Sequence, residues 1–200
     1  MGPAVVDLSV SLDGFIAGPD DGPDNPLGDG GRRLFDWWTA GTERIGPDDL
    51  FKPPARSLAV AREAFGSGAV ITGRRTFDIA RGWGGHHPLG CPYFVLTHTP
   101  PARWTGPGTG GTVVTNGIES ALKQARAVAG DRMISVCAAD IAQQFLKAGL
   151  LDEIRLSVVP VVLGGGVRLL DNLDGRQFDL ECAQVVESDG VTHLRYRVLK

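Results

Sequence analysis

"DRMISVCAADIAQQFLKAG", residues 131 to 149, is the stretch whose reading decides the fold. An apolar run ends at Cys137, and the residues beyond it repeat at helical spacing until Gly149. A strand that runs directly into a helix is the unit of α/β architecture. Such turns commonly hold phosphates, because free N–H groups and the positive helix end meet there. They are usually rich in glycine, since a Cβ keeps the backbone away from a ligand. The chain has 28 glycines in 200 residues, yet it places Cys137, Ala138 and Ala139 here, with Asp140 as the expected N-cap. The fold is plain at this point, and the use of the turn is not.

The same alternation extends in both directions. "AVVDLSV" reads as a strand that stops at the turn signal Asp13-Gly14. Residues 18 to 53 are dense in Gly, Pro and Asp around "LFDWW", and are expected to form a long surface excursion. A helix is expected at roughly 54 to 65, with Leu58, Ala61 and Phe65 on one side. "GAVITGRRTFDIA" is a strand breaking at Gly73 into a helix, and "CPYFVLT" and "GTVVT" are further strands. Asn116 and Glu119 have the spacing of a capping box for the helix carrying Ile118, Leu122, Ala125 and Ala129. "EIRLSVV" alternates, and the chain closes with a hairpin around Asp189-Gly190. The expected fold is therefore α/β: one domain over residues 1–200, with a mostly parallel sheet and an antiparallel hairpin at one edge.

Composition excludes several classes of function. A net charge of −3 without a Lys/Arg run argues against nucleic acid or an anionic membrane as partner. The first residues lack the basic start and apolar core of a secretory signal, and no stretch approaches a membrane span. Cys91, Cys137 and Cys182 are odd in number and widely spaced, which argues against a disulfide framework or a zinc site, and the expected compartment is the cytoplasm. Gly106, Gly108 and Gly111 match a dinucleotide fingerprint in form only. They surround Pro107 and precede a strand, where the fingerprint must follow one. His86-His87 lacks further ligands at a useful spacing and reads as a solvated loop, so no metal is expected. In "ITGRRTFD", a strand delivers Gly73, Arg74, Arg75 and Thr76 to a helix start. These groups suit a phosphate, and equally a helix beginning with two solvent-facing arginines.

"SLDGFIAGPD", "GRRTFD", "VLTHTP" and "GLLDEIRLSVVPVVLGGGVRLL", taken in that order, resemble the riboflavin-biosynthesis reductase-domain family, and more broadly the dihydrofolate reductase fold. The resemblance runs from about residue 5 to 199. It implies an NADPH-dependent reductase, commonly a homodimer, acting on a small molecule. Ala17 and Gly18 would lie near the nicotinamide, as would the loop of Gly164, Gly165 and Gly166. Gly73, Arg74, Arg75 and Thr76 would hold the adenosine side, with Thr97 and His98 flanking the 2′-phosphate. The turn of Cys137, Ala138, Ala139, Asp140 and Ile141 would meet the pyrophosphate, and here the chain departs from the family's Gly-Gly pattern. Asp36, Trp37 and Trp38 would cover the substrate, with Trp38 as an apolar wall.

Two chemistries follow. In the first, hydride passes from NADPH to a C=N or C=O carbon and a proton reaches the heteroatom, with Asp13 and Asp36 as candidate donors. Asp13 reads equally as a turn residue bonded to its own backbone, and Asp36 as a solvent-facing helix residue. In the second, a chain without its glycine turn has become a cofactor-free isomerase, cyclase or dehydratase, or a small-molecule-binding protein. Cys137 at a helix start is either a reactive thiol or a small buried hydrophobe.

Overall fold

The computed structural model describes residues 1–46, 50–103, 105–106 and 108–200. Pro107 of the glycine-rich loop and residues 47–49 of the excursion lie outside the described residues. In chain order the elements are β1 (Ala4–Ser11), β2 (Phe15–Ala17), α1 (Leu58–Phe65), β3 (Ala69–Gly73), α2 (Arg74–Ile79), β4 (Tyr93–Leu96) and β5 (Gly111–Val114). There follow α3 (Ile118–Ala129), β6 (Ile134–Cys137), α4 (Ala139–Lys147), β7 (Glu153–Val159), β8 (Val167–Arg168), β9 (Leu180–Ser188) and β10 (Val191–Val198). Short 3₁₀ helices occupy Gly31–Thr39, Ala55–Ser57 and Arg81–Gly85.

The main sheet has eight strands in the order β5-β4-β3-β6-β1-β7-β10-β9. Pairing is parallel from β5 to β7, and β10 and β9 add antiparallel strands at one edge, as the sequence pattern requires. Two strands too short to read from periodicity, β2 and β8, form a separate antiparallel ribbon. β1 is central, and Ala4, Val5 and Val6 are fully buried, which explains its unbroken apolar start. One face packs against α3 and α4 through Ala121, Leu122, Ala125, Ile141, Phe145 and Leu146.

The opposite face corrects the reading of residues 18–53 as a surface excursion. Leu34, Trp37 and Ile45 from that segment build a second core with Ala61, Val159 and Val161. Gly and Pro dominate the composition, yet the 3₁₀ helix Gly31–Thr39 turns Leu34 and Trp37 inward three residues apart. Three local expectations also change. The segment expected as a helix from 54 begins as a 3₁₀ turn, and α1 starts at Leu58. The Asn116–Glu119 capping box does not form, because Gly117 at φ 96° precedes α3 and no side chain caps it. Asp140 is inside α4, where its carboxylate accepts from Gln144 Nε2 at 2.8 Å, and Ala138 takes the cap position.

Polar residues cross this second face in two rows. Asp7, Arg155, Arg195 and Gln184 are neighbours on four adjacent strands. The next row holds His193, whose ring nitrogens lie 2.8 Å from Ser57 Oγ and 2.9 Å from Ser157 Oγ. Glu63 of α1 reaches down to both Arg155 and Arg195. Asp7 Oδ2 is buried and has no hydrogen-bond partner among the described residues. Burial pushes the Asp7 carboxyl up to about 6, against the opposing pull of Arg155 and Arg195. Its folded value thus exceeds the ordinary 3.8, so its contribution to stability is full below pH 3.8 and is lost as the pH rises through 6. The loss approaches about 3 kcal/mol, at 1.36 kcal/mol per unit. Asp7→Asn is therefore expected to raise the urea midpoint at pH 8 and to leave it nearly unchanged below pH 4. An equal effect at both values would show that Asp7 does not titrate with folding.

Candidate active site

Parallel pairing brings the carboxyl ends of β3, β4, β5 and β6 to one edge, where open α/β sheets place their ligand crevice. A cleft of about 510 Å³ lies there. One end is polar. Gly73, Arg74, Arg75 and Thr76 enter it from the β3–α2 junction, and Thr97 and His98 from the end of β4. Cys137, Ala138, Ala139, Asp140 and Ile141 form its floor at the start of α4. The other end is apolar and is made by Leu8, Ile16, Ala17, Phe35 and Val167, with the buried Ser9 among them.

The turn that lacks glycine keeps its place in the cleft. The Cys137–Ala138 peptide is cis, and Cys137, Ala138 and Ala139 all have negative φ. No residue of the turn adopts the left-handed conformation that glycine would be needed to supply. Burial pushes the Cys137 thiol up to about 11, which favours the packed, protonated thiol over the reactive one.

Other expected residues lie elsewhere. Asp13 does not line the cleft. A hydrogen bond from the Ser11 hydroxyl and bonds from the Gly164 and Leu163 N–H groups hold its carboxyl down at about 2. Those two N–H groups sit 2.7 and 3.1 Å from its oxygens. An ionised carboxylate with both oxygens engaged has no proton to give, so Asp13 is a clasp between the β1–β2 turn and the β7–β8 loop. Asp36 is exposed on the outside of the 3₁₀ helix, away from the cleft. Trp38 stacks on Trp37 at 4.1 Å and meets Phe51 and Phe65 edge-on, so it packs the second core and walls nothing. Its neighbour Phe35 takes that place in the cleft. Gly18 and the triple glycine sit behind the lining. A Cβ on Gly166 (φ 119°) would come within 2.0 Å of Ala17 O, so this glycine lets the β7–β8 loop press Ala17 into the cleft. Gly164 bonds to Asp13, and Gly165 packs near Pro19. His86 is exposed, as expected of a solvated loop, but His87 is half-buried. It packs 4.5 Å from Trp83, and burial holds its imidazole down at about 4.

Sequence reasoning missed Ser9, Ile16, Asp21, Leu27 and Phe35. Ile16 stands inside the quoted "LDGFIA" motif and was within reach; Asp21 and Leu27 come from a loop whose path only tertiary contacts define. Among the described residues no cluster could hold a metal ion, and no helix is long and apolar enough to cross a membrane.

A mostly parallel sheet with a closing antiparallel hairpin, helices on both faces and a cleft over the strand ends define a dihydrofolate reductase-like α/β protein. More narrowly, residues 4–194 match the RibD C-terminal domain, and the chain belongs to that family. No curated protein matches it in sequence. Among solved structures it is similar to a putative riboflavin biosynthesis protein from Shewanella sp. PV-4, at 22% identity over 99% of both chains and a TM-score of 0.71. It also resembles a deaminase/reductase from Thermotoga maritima, at 13% identity and a TM-score of 0.62, covering 99% of this chain and 57% of that one. Dihydrofolate reductase from Enterococcus faecalis, complexed with NADP(H), shares 15% identity over 100% of this chain and 98% of that one, with a TM-score of 0.60.

The thiols offer a direct check. Cys182 is exposed, whereas burial raises Cys91 and Cys137. Iodoacetamide at pH 8 is expected to label Cys182 well before the other two wherever the β9 edge is unpaired. Rapid loss of the Cys137 thiol would restore its reactive reading.

Proposed function

We propose that the chain, as one domain over residues 1–200, is an NADPH-dependent reductase that transfers hydride to a C=N or C=O carbon of a small cyclic molecule. The carrying observation is how the cleft divides its chemistry. Its titratable lining residues, Asp21, Arg74, Arg75, His98, Cys137 and Asp140, come from α2, the strand ends, the β6–α4 turn and the residue 19–27 loop. β1, β2, β8 and the 3₁₀ helix supply only Leu8, Ser9, Ile16, Ala17, Phe35 and Val167. An isomerase or dehydratase needs a positioned acid or base beside its substrate. Hydride transfer needs alignment and a dry surface, because the cofactor carries the reactive atom. The apolar end offers the second set of conditions and lacks the first among the described residues.

The residues present fit such a cofactor. The Arg74 guanidinium, which reaches the Thr99 carbonyl, and the Thr97 hydroxyl would take the 2′-phosphate, and N–H groups opening α4 would meet the pyrophosphate. Leu8, Ile16, Ala17 and Phe35 would hold a flat ring against the nicotinamide and exclude water. NADPH, when bound, would supply the hydride for the electrophilic carbon, and a water entering from the polar end of the cleft would supply the proton for the heteroatom.

We also propose a cytoplasmic homodimer. β9 is a sheet edge, and it exposes Leu180, Cys182 and Val185. An open apolar edge of this kind favours pairing with another chain. Light scattering is expected to give twice 21.2 kDa, and Val185→Glu is expected to shift the mass toward the monomer. A monomer before the substitution refutes the dimer.

NADPH at about 1,000 times its Kd adds about 4 kcal/mol to stability. For a chain of this size that raises Tm by on the order of 10 °C. An unchanged Tm at millimolar NADPH would overturn the reductase reading.

A further inference from the structure

Among the described residues that β1, β2, β8 and the 3₁₀ helix Gly31–Thr39 bring to the cleft, Ser9 alone has a polar side chain. β1 pairs with β6 at Ala4 and Val5, and with β7 from Val5 through Ser11. Beyond that short pairing the β6 side of β1 opens into the cleft beside Leu8 and Ser9. Ser9 is only 6% exposed, so its hydroxyl needs partners from the protein or from a ligand. It has one, for Trp37 Nε1 donates to Ser9 Oγ at 3.0 Å. An indole nitrogen can only donate, so Ser9 is the acceptor in this bond. The hydroxyl hydrogen is left without an acceptor among the described residues. Ser11, two residues further on, is fully engaged: it accepts from Phe15 N at 2.9 Å and donates to Asp13.

The group that holds Ser9 is itself held. The Trp37 ring is buried, stacks on Trp38 at 4.1 Å and meets His193 edge-on at 4.9 Å. His193 is fixed in turn between the hydroxyls of Ser57 and Ser157. One side of Ser9 Oγ is therefore pinned to the second core, and its O–H is available to the cleft.

We infer that the Ser9 hydroxyl is the hydrogen-bond donor that holds the accepting heteroatom of the substrate. The inference rests on the reductase reading above for its chemical use. As hydride forms the new C–H bond, the π pair of the C=N or C=O bond moves onto the heteroatom, and negative charge grows there. A fixed donor at that atom stabilises the charge, and more so where water is excluded. Ser9 keeps its own hydrogen. The proton from water completes the N–H or O–H bond, leaving hydroxide and the oxidised nicotinamide. The donor also defines a class of substrate. No carboxylate accompanies Ser9 at this end of the cleft among the described residues, so the site takes a neutral flat ring with an unprotonated heteroatom on the edge that meets β1. A protonated iminium has no lone pair to offer it.

The test uses two probes of one shape, 4-methylpyridine and toluene, at pH 8, where the ring nitrogen is unprotonated. Their Kd values are measured by NMR on the full chain and on Ser9→Ala. In the full chain the indole N–H signal of Trp37 is followed as well, assigned through its contacts with Trp38 and His193. 4-Methylpyridine is expected to move that signal downfield, because an oxygen that donates outward accepts more strongly from the indole. Toluene has no acceptor and is expected not to reproduce the shift. Ser9→Ala is expected to weaken 4-methylpyridine about fivefold relative to toluene. A serine that only fixes Trp37 would affect both probes alike. An unchanged ratio between the probes, or no downfield shift in the full chain, overturns the Ser9 donor, and the second result needs no variant. The probes carry no nucleotide, so the NADPH thermal shift judges the reductase reading separately. A downfield shift without stabilisation by NADPH overturns that reading and leaves Ser9 as a ligand-holding donor; the reverse overturns the donor alone.

Discussion

Parallel pairing of β1 with β6 on one side and β7 on the other is the constraint on which the rest depends. Parallel neighbours cannot be joined by a tight turn, so the chain must leave the sheet and return along one of its faces. α3 and α4 make two of these returns and bury Ala125, Phe145 and Leu146 against the sheet. The same constraint sends every parallel strand out at one edge. Gly73, Thr97 and Cys137 become neighbours in the cleft because they end or follow such strands, although up to 64 positions of sequence separate them.

Polar groups divide the molecule as firmly as apolar ones do. Behind the sheet, Arg155 and Arg195 share Glu63 and Glu153, so charges set between two apolar cores are paired, and the Asp7 carboxyl carries the remaining desolvation cost. On the ligand side, Asp13 spends its charge on two backbone N–H groups, and that fixes the loop beneath Ala17. One carboxylate has a buried oxygen without a partner among the described residues and the other has both oxygens engaged, and neither lines the cleft.

The strand and helix order was legible because period carries it: "AVVDLSV" and "EIRLSVV" could be little else, and the hairpin turn Asp189-Gly190 stands where it was expected. The polar half of the cleft was legible through short motifs, since Gly73 to Thr76 and Thr97-His98 keep their identity without tertiary context. The apolar half was not. Trp38 and Phe35 are both aromatic and lie three residues apart on one short helix; only its rotation decides which packs inward and which lines the cleft. Asp21 escaped notice for a related reason: a loop rich in Pro, Asp and Gly gives no sign of which carboxylate will meet an arginine 54 residues away.

Trp37 connects the second core to the apolar end of the cleft. Its indole N–H donates to Ser9 Oγ at 3.0 Å, and Ser9 lines the cleft. Any molecule that competes for the Ser9 hydroxyl alters the polarity around an indole held rigidly between Trp38 and His193. Emission wavelength and quantum yield of an indole follow such changes, so the molecule carries an intrinsic optical reporter of what occupies its interior.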